Sequence, residues 1–340
     1  MKAQYFSTFI TGFEKVVEEA LKNTLRNVRV DLLLDGLVVY STTSSINSIK
    51  KLKFINNTFL LIEKFEDLSD QPMDKMMKYA LNKINFEKAL NISIPRKYRT
   101  FRVIASKENQ LVSVNKKLLS ELEDILSIKL KLKVNRSLPD IEVWFLTRSE
   151  GLGLIGLRIT KTPNYEKTLH KGELRPELAS LMCVLAELEK TDVIFDPFSG
   201  YGAIPLECAK GFKVKQIIAG EKDEKVFKLL QDKTKKMRPK IIVERWDAIN
   251  LSSLTDNSVD KIITDPPWGL FDENIDLRKF YKRMLEEFTR ILSPKGLLII
   301  LTAQKELIEN LINQSASFKL IEKYNVLVSG KKASIYKLQN

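Results

Sequence analysis

One histidine and two cysteines in 340 residues leave little material for several kinds of chemistry. The count alone excludes a structural zinc site, and His170 has no second ligand or triad partner near it in the pattern. Cys183 and Cys208 sit in apolar helical stretches without partner spacing, as inert core thiols of a reducing compartment do. No metal is therefore expected. No apolar run approaches the roughly 18 residues a membrane span needs, and MKAQYFSTFITGFEKVVEEALKNTL has no long apolar h-region. The expectation is a soluble, cytoplasmic chain with no membrane partner. Hydrophobic residues make up 44%, which is globular, and the length suggests two or three domains.

What the chain does have is positive charge, unevenly spread. Lys and Arg exceed Asp and Glu by 13 overall, with a pI near 9.4. Residues 1–175 hold 30 basic and 20 acidic side chains, and residues 176–340 hold 26 and 23, so the first half is better suited to a polyanion.

Residues 1–65 run strand, helix, strand, strand, helix, strand, the split order of a ferredoxin-like unit, with Asp35-Gly36 as a tight turn between the middle strands. Residues 66–162 form a second α+β unit. A stretch with Met73, Met76, Met77, Ala80 and Leu81 on one face reads as a core-packed helix. Strands follow in TFRVIASK, KLKVNR, IEVWFLTR and LIGLRIT, with VNKKLLSELEDILSI as an amphipathic helix. Arg96, Lys97, Arg99, Arg102, Lys131, Lys133 and Arg136 punctuate this unit; such charges commonly form a solvated face, and here they also suit a surface that tracks the phosphates of a polyanion. The glycines of GLGLIG match G-x-G-x-x-G, but an extended run follows where a dinucleotide loop needs a helix, so a hairpin turn is expected. Residues 163–175 read as a linker holding His170. From Pro176, strands and helices alternate to residue 340, the pattern of a doubly wound parallel sheet whose ligands lie at the carboxyl ends of its strands.

Four of those ends carry acids. DPFSGYGA ends a strand at Asp196 and brings Gly200 and Gly202 to the start of a helix. In AGEKD, Glu221 stands where a carboxylate takes a ribose's hydroxyls, while Asp223 could equally cap the next helix. In RWDA, Asp247 could accept an adenine amino group, flanked by Trp246 or Ile249. In DKIITDPPWGL, an apolar strand stops at Asp265, Pro266 and Pro267, and Trp268 begins a loop. Prolines donate no N–H, so the carbonyls there act only as acceptors beside a carboxylate and an indole. That combination fits a planar ligand with an exocyclic amine. Singly, each end could be a turn, a cap or a solvated acid. Together they describe a site for a nucleoside without phosphates and a second, planar substrate.

These residues resemble a known family. DPFSGYG is similar to the first motif of class I S-adenosylmethionine-dependent methyltransferases, GEKD to the second, RWDA to the adenine-contacting acid, and TDPPWG to the fourth motif of members that methylate base amines. YFSTFITGFEKVVEEAL, TFRVIASK, PDIEVWFL, GLGLIGLRIT and HKGELRPELASLM resemble the THUMP-domain RNA methyltransferases. The resemblance implies an α/β chain: a ferredoxin-like domain at 1–65, a THUMP RNA-binding domain at 66–162, a linker at 163–175 and a Rossmann-like methyltransferase domain at 176–340. It implies S-adenosyl-L-methionine as cofactor, held by Leu174, Arg175, Asp196, Phe198, Gly200, Gly202, Glu221, Lys222, Asp247, Ala248 and Asp265. Asp265, Pro266, Pro267 and Trp268 would be catalytic. It further implies a monomer acting on tRNA and forming N2-methylguanosine, at position 6 of the acceptor stem. Alternatives are position 10, guanine in rRNA, adenine N6, and, from a different class, a non-catalytic RNA-binding protein. Three residues depart from the family pattern: Trp268 replaces the commoner tyrosine or phenylalanine, Ser199 a cysteine or another small residue, and Glu221 an aspartate.

Overall fold

The computed structural model describes residues 3–84, 97–160, 169–170, 172–269, 276–315 and 317–340. By contacts the chain divides into two compact units, Met1–Phe9 with Glu18–Pro163, and Ile10–Val17 with Asn164–Asn340.

The first unit is built on one nine-stranded sheet. Its strands are β1 (Ala3–Thr8), β2 (Arg29–Leu34), β3 (Leu37–Thr42), β4 (Asn57–Phe65), β5 (Thr100–Lys107), β6 (Gln110–Leu111), β7 (Lys133–Val134), β8 (Ile141–Thr147) and β9 (Gly153–Arg158). Their order is β2-β3-β1-β4-β9-β8-β5-β6, with β7 on β5. The helices are α1 (Glu14–Thr24), α2 (Ile46–Ile49), α3 (Pro72–Lys83) and α4 (Lys116–Leu130). The order β4-β1-β3-β2 with α1 and α2 is the ferredoxin-like arrangement. Antiparallel pairing of β4 with β9 carries the sheet from the 1–65 segment straight into the 66–162 segment. KLKVNR contributes only the two residues of β7. The glycines of GLGLIG lie in a hairpin: Gly151 takes φ +75 in the turn, and Gly153 and Gly156 sit in β9, paired antiparallel to β8. Gly156 has a packing reason, since a Cβ there would fall 2.5 Å from Phe6 Cε1. On α3, Met76, Met77 and Ala80 are buried as core residues.

The second unit holds a seven-stranded sheet, β12-β11-β10-β13-β14-β16-β15. The strands are β10 (Val193–Asp196), β11 (Gln216–Gly220), β12 (Ile241–Glu244), β13 (Val259–Thr264), β14 (Leu292–Thr302), β15 (Lys319–Val328) and β16 (Lys331–Gln339). β12 to β14 are parallel, and β16 runs antiparallel to both of its neighbours. The helices are α5 (Pro176–Leu185), α6 (Ala203–Gly211), α7 (Glu224–Thr234), α8 (Leu277–Ile291) and α9 (Lys305–Gln314). The 3.6-residue spacing on α8 buries Tyr281, Met284, Leu285, Phe288 and Ile291 in one core with Phe195, Ile262, Leu298 and Ile300 of the sheet. At about 1.5–3 kcal/mol for each large apolar side chain, that face is a main anchor of the helix. The strand order reverses between β10 and β13, which creates a crevice at their carboxyl ends. No helix among the described residues is long and apolar enough to cross a membrane.

Candidate active site

The four acids come to that edge of the sheet in chain order. Asp196 closes β10, Glu221 follows β11, Asp247 lies just beyond β12 and Asp265 follows β13. The loop after β10 depends on its glycines. Gly202 caps α6 at φ +95, and a Cβ there would meet Leu230 Cδ1 at 2.6 Å. Gly200 has φ +50, and a Cβ built on it meets nothing within 4 Å, so open space borders the backbone there.

Glu221 ties two loops together. Its Oε2 accepts from the Gly200 N–H at 3.0 Å and its Oε1 from the Asp223 N–H at 2.7 Å. Each carboxylate oxygen keeps a further lone pair for a hydroxyl donor. Asp223 caps α7, its Oδ1 accepting from the Lys225 and Val226 N–H groups. Asp247 receives the Ile249 N–H on Oδ1 at 3.3 Å and the Lys222 ammonium on Oδ2 at 2.7 Å. Lys222 is largely exposed, so this ion pair is weak and a ligand's amino group can replace it. Trp246 packs edge-on against Phe195 at 5.7 Å. Ala248 is buried.

Asp196 lies beneath these loops and is buried. Its Oδ1 accepts from Thr264 Oγ1 at 2.8 Å and from the Phe198 N–H at 3.2 Å. Burial pushes its carboxyl up to about 7 against those bonds, and the charge of Glu221 adds to the rise. Phe198 is half-buried and tilts against Phe280 of α8 at 5.9 Å.

At Asp265 the strand ends in a loop held from several sides. Burial pushes its carboxyl up to about 8; the Trp268 indole opposes this, donating to Oδ1 at 2.9 Å, and the Asp196 charge adds to it. The Pro267 carbonyl accepts from Tyr281 Oη at 3.1 Å, and the Trp268 carbonyl from Gln304 Nε2 at 2.6 Å. Tyr281 Oη also meets Thr302 Oγ1 at 2.8 Å, and that oxygen accepts the Gln304 N–H at 3.0 Å. Gly269 follows at φ +75, where a Cβ would strike Leu277 Cδ1 at 2.5 Å.

Leu174 is buried, and Arg175, exposed, precedes α5 as its N-cap. The neighbouring His170 is exposed, and its ring stacks on Tyr201 at 3.9 Å in the glycine-rich loop. Lys233 reinforces that contact, donating to the Tyr201 carbonyl at 3.1 Å and pairing with Glu173 at 3.3 Å. Sequence reasoning missed Thr264, Tyr201, Lys233, Tyr281, Thr302 and Gln304 as site residues, and helical spacing places Tyr281 only on the core face of α8. The available signal was its hydroxyl, since a buried tyrosine usually finds a partner.

The basic residues proposed for RNA belong to the first unit and are not equivalent. Arg102 donates to Glu142, and Arg136 makes a two-pronged pair with buried Glu123 at 2.5 and 3.2 Å. Lys97, Arg99, Lys131 and Lys133 are exposed; Arg96 lies outside the described residues.

The acceptor set fits a nucleoside bearing no phosphates: carboxylates on two strand ends for hydroxyl and amino groups, and open space at Gly200 beside them. The chain is 30% identical over 172 residues to a U6 snRNA (guanine-N(2))-methyltransferase THUMPD2 of Bos taurus, covering 49% of this chain and 33% of that one. It is 24% identical over 253 residues to a tRNA (guanine(6)-N2)-methyltransferase of Methanocaldococcus jannaschii, covering 62% and 66%. The matches thus span from a third to just under two thirds of these curated relatives. The crystal structure of TrmN from Thermus thermophilus superposes over 99% of both chains with a TM-score of 0.77 and 23% identity, a likeness of fold. Residues 163–334, just over half of the chain, match the family model described as RMKL-like, methyltransferase domain, and the chain belongs to that family.

Proposed function

We propose that this protein is an S-adenosylmethionine-dependent RNA methyltransferase that forms N2-methylguanosine in tRNA. The observation that carries the reading is the order of acids at successive strand ends, finishing in Asp265-Pro266-Pro267-Trp268 beside a nucleoside-compatible crevice. The relatives' names agree on the N2 amine of guanine and differ in the RNA that carries it. Five relatives, among them those from Methanocaldococcus jannaschii and Thermus thermophilus, are named for position 6 of tRNA and one for position 10, which supports position 6.

Glu221 and Asp247 would hold the cofactor's ribose hydroxyls and adenine amine, with Gly200 allowing close approach. When bound, S-adenosylmethionine supplies an electrophilic methyl group. The protein's own work is on the acceptor. An exocyclic base amine has its lone pair delocalised into the ring; accepting its two N–H groups at Asp265 and a proline carbonyl localises that pair on nitrogen. Trp268 stacks on the base, returning roughly 1–3 kcal/mol of the cost of extracting it from its helix. Holding the amine in place supplies most of the remaining acceleration.

Incubation with tRNA lacking modifications and radiolabelled methyl donor tests this: label enters the tRNA, and Asp265→Ala loses that transfer by orders of magnitude while still binding tRNA. Donor binding that is absent, or unchanged in Glu221→Ala, would instead favour a non-catalytic RNA-binding protein.

A further inference from the structure

The loop that ends at Trp268 offers more acceptors than one amine can use, and the structure shows which already hold a donor of the protein. Tyr281 Oη occupies the Pro267 carbonyl, and Gln304 Nε2 occupies the Trp268 carbonyl. The Trp268 indole N–H occupies Oδ1 of Asp265. Among the described residues, no donor meets the Pro266 carbonyl or Oδ2 of Asp265. The two occupying side chains come from different elements, Tyr281 from α8 and Gln304 from the start of α9, and Thr302 at the end of β14 bridges them. Gln304 Nε2 holds the carbonyl of the same residue whose indole holds Asp265. Trp268 is thus held at both its carbonyl and its indole.

We propose that Tyr281 and Gln304 are positioning residues for methyl transfer: by donating to the carbonyls of Pro267 and Trp268 they fix the loop with its indole on Asp265, so that the Pro266 carbonyl and Asp265 Oδ2, which meet no donor among the described residues, are the pair that receives the substrate's amine. This deepens the methyltransferase reading and rests on it for the reaction, though not for the geometry. Loss of either donor lets the loop sample other arrangements, so the amine is bound but less often aligned. The consequence falls on turnover and not on binding of the methyl donor: Glu221 and Asp247, which would meet its ribose and adenine, lie on other strand ends, and Asp265 keeps its place after β13 and loses only the orientation of its carboxylate.

Two shape-preserving variants test it, Tyr281→Phe and Gln304→Met, each removing a donor and little volume. The protein has three tryptophans, so a nitrogen–proton correlation spectrum carries three indole signals, and Trp268→Phe identifies the one that matters. The expected result is that both variants shift the Trp268 indole signal while those of Trp144 and Trp246 stay in place. With the shift, kcat for methyl transfer falls about three- to tenfold per variant, the loss of one ordinary hydrogen bond, while KM for S-adenosylmethionine is unchanged. An unmoved Trp268 signal overturns the inference whatever the turnover. So does a moved signal with unchanged kcat, or a KM for the donor that rises as kcat falls. If the wild-type protein transfers no methyl group to RNA, the function reading fails by itself, and the indole signal still decides whether these residues hold the loop.

Discussion

The indole N–H of Trp268 points at Oδ1 of Asp265 across 2.9 Å, so the aromatic residue of this loop also orients its carboxylate. Phenylalanine would stack but could not donate. The tryptophan at this position therefore supplies a donor that phenylalanine would lack.

That bond predicts a pH dependence. In the free protein burial holds the Asp265 carboxyl up near 8, and the indole opposes the rise. Below that value the carboxyl is neutral; above it the ionised oxygen accepts the amine's proton with full charge. kcat/KM for the RNA therefore climbs with pH through about 8. Trp268→Phe removes the opposing bond and moves the limb to higher pH. A limb that stays where it was would take this bond out of the mechanism.

Asp196 predicts a stability that depends on pH in a definite direction. Its carboxyl ordinarily titrates at 3.8 but is held at about 7 in the fold, chiefly by burial. Between those values the folded protein keeps a proton that the unfolded chain has lost, so stability falls as pH rises. Asp196→Asn retains an Oδ1 acceptor for Thr264 and Phe198 and removes the burden. Thermal melts should show a higher Tm for the variant at about pH 8 and little gain at about pH 4; the same shift at both would contradict the assignment.

Gly202 and Gly200 should respond differently to alanine. At Gly202 the positive φ and the 2.6 Å approach to Leu230 act together, whereas at Gly200 the added Cβ enters open space. Gly202→Ala should cost about 1–3 kcal/mol in denaturant unfolding. Gly200→Ala should cost less there, and its effect should show in affinity for the methyl donor.

The first unit's basic residues separate into two groups. Arg102 shares Glu142 with Arg158, and Trp144 Nε1 donates to the same carboxylate. Arg102→Ala strips a partner from a nearly buried acid and should lower Tm. Lys131 and Lys133 are exposed, and charge removal at either should weaken RNA binding and reduce the salt slope by about 1. Equal salt slopes in the Lys133→Ala and wild-type proteins would remove that lysine from the RNA surface.

Much of this site was legible because a parallel sheet writes its ligand edge into the sequence: an apolar run, then an acid, glycine or proline. The alternation from Pro176 onward predicted the sheet, and Asp196, Glu221, Asp247 and Asp265 stand at its strand ends. What stayed hidden depends on contacts between distant segments. A helical period places Tyr281 on the core face of α8 but cannot say that its hydroxyl reaches Pro267 and Thr302. Charge counts mark Arg102 and Arg136 as basic but not that Glu142 and Glu123 have claimed them. The joining of the 1–65 and 66–162 segments in one sheet rests on β4 meeting β9, a pairing of strands about a hundred residues apart that no local pattern announces.

The most direct test of the central claim is the chemical identity of the product. Unmodified tRNA incubated with the protein and isotope-labelled methyl donor, digested to nucleosides and resolved by mass spectrometry, should yield labelled N2-methylguanosine, absent with Asp265→Ala. Label in methyladenosine, or in no nucleoside at all, would contradict the account.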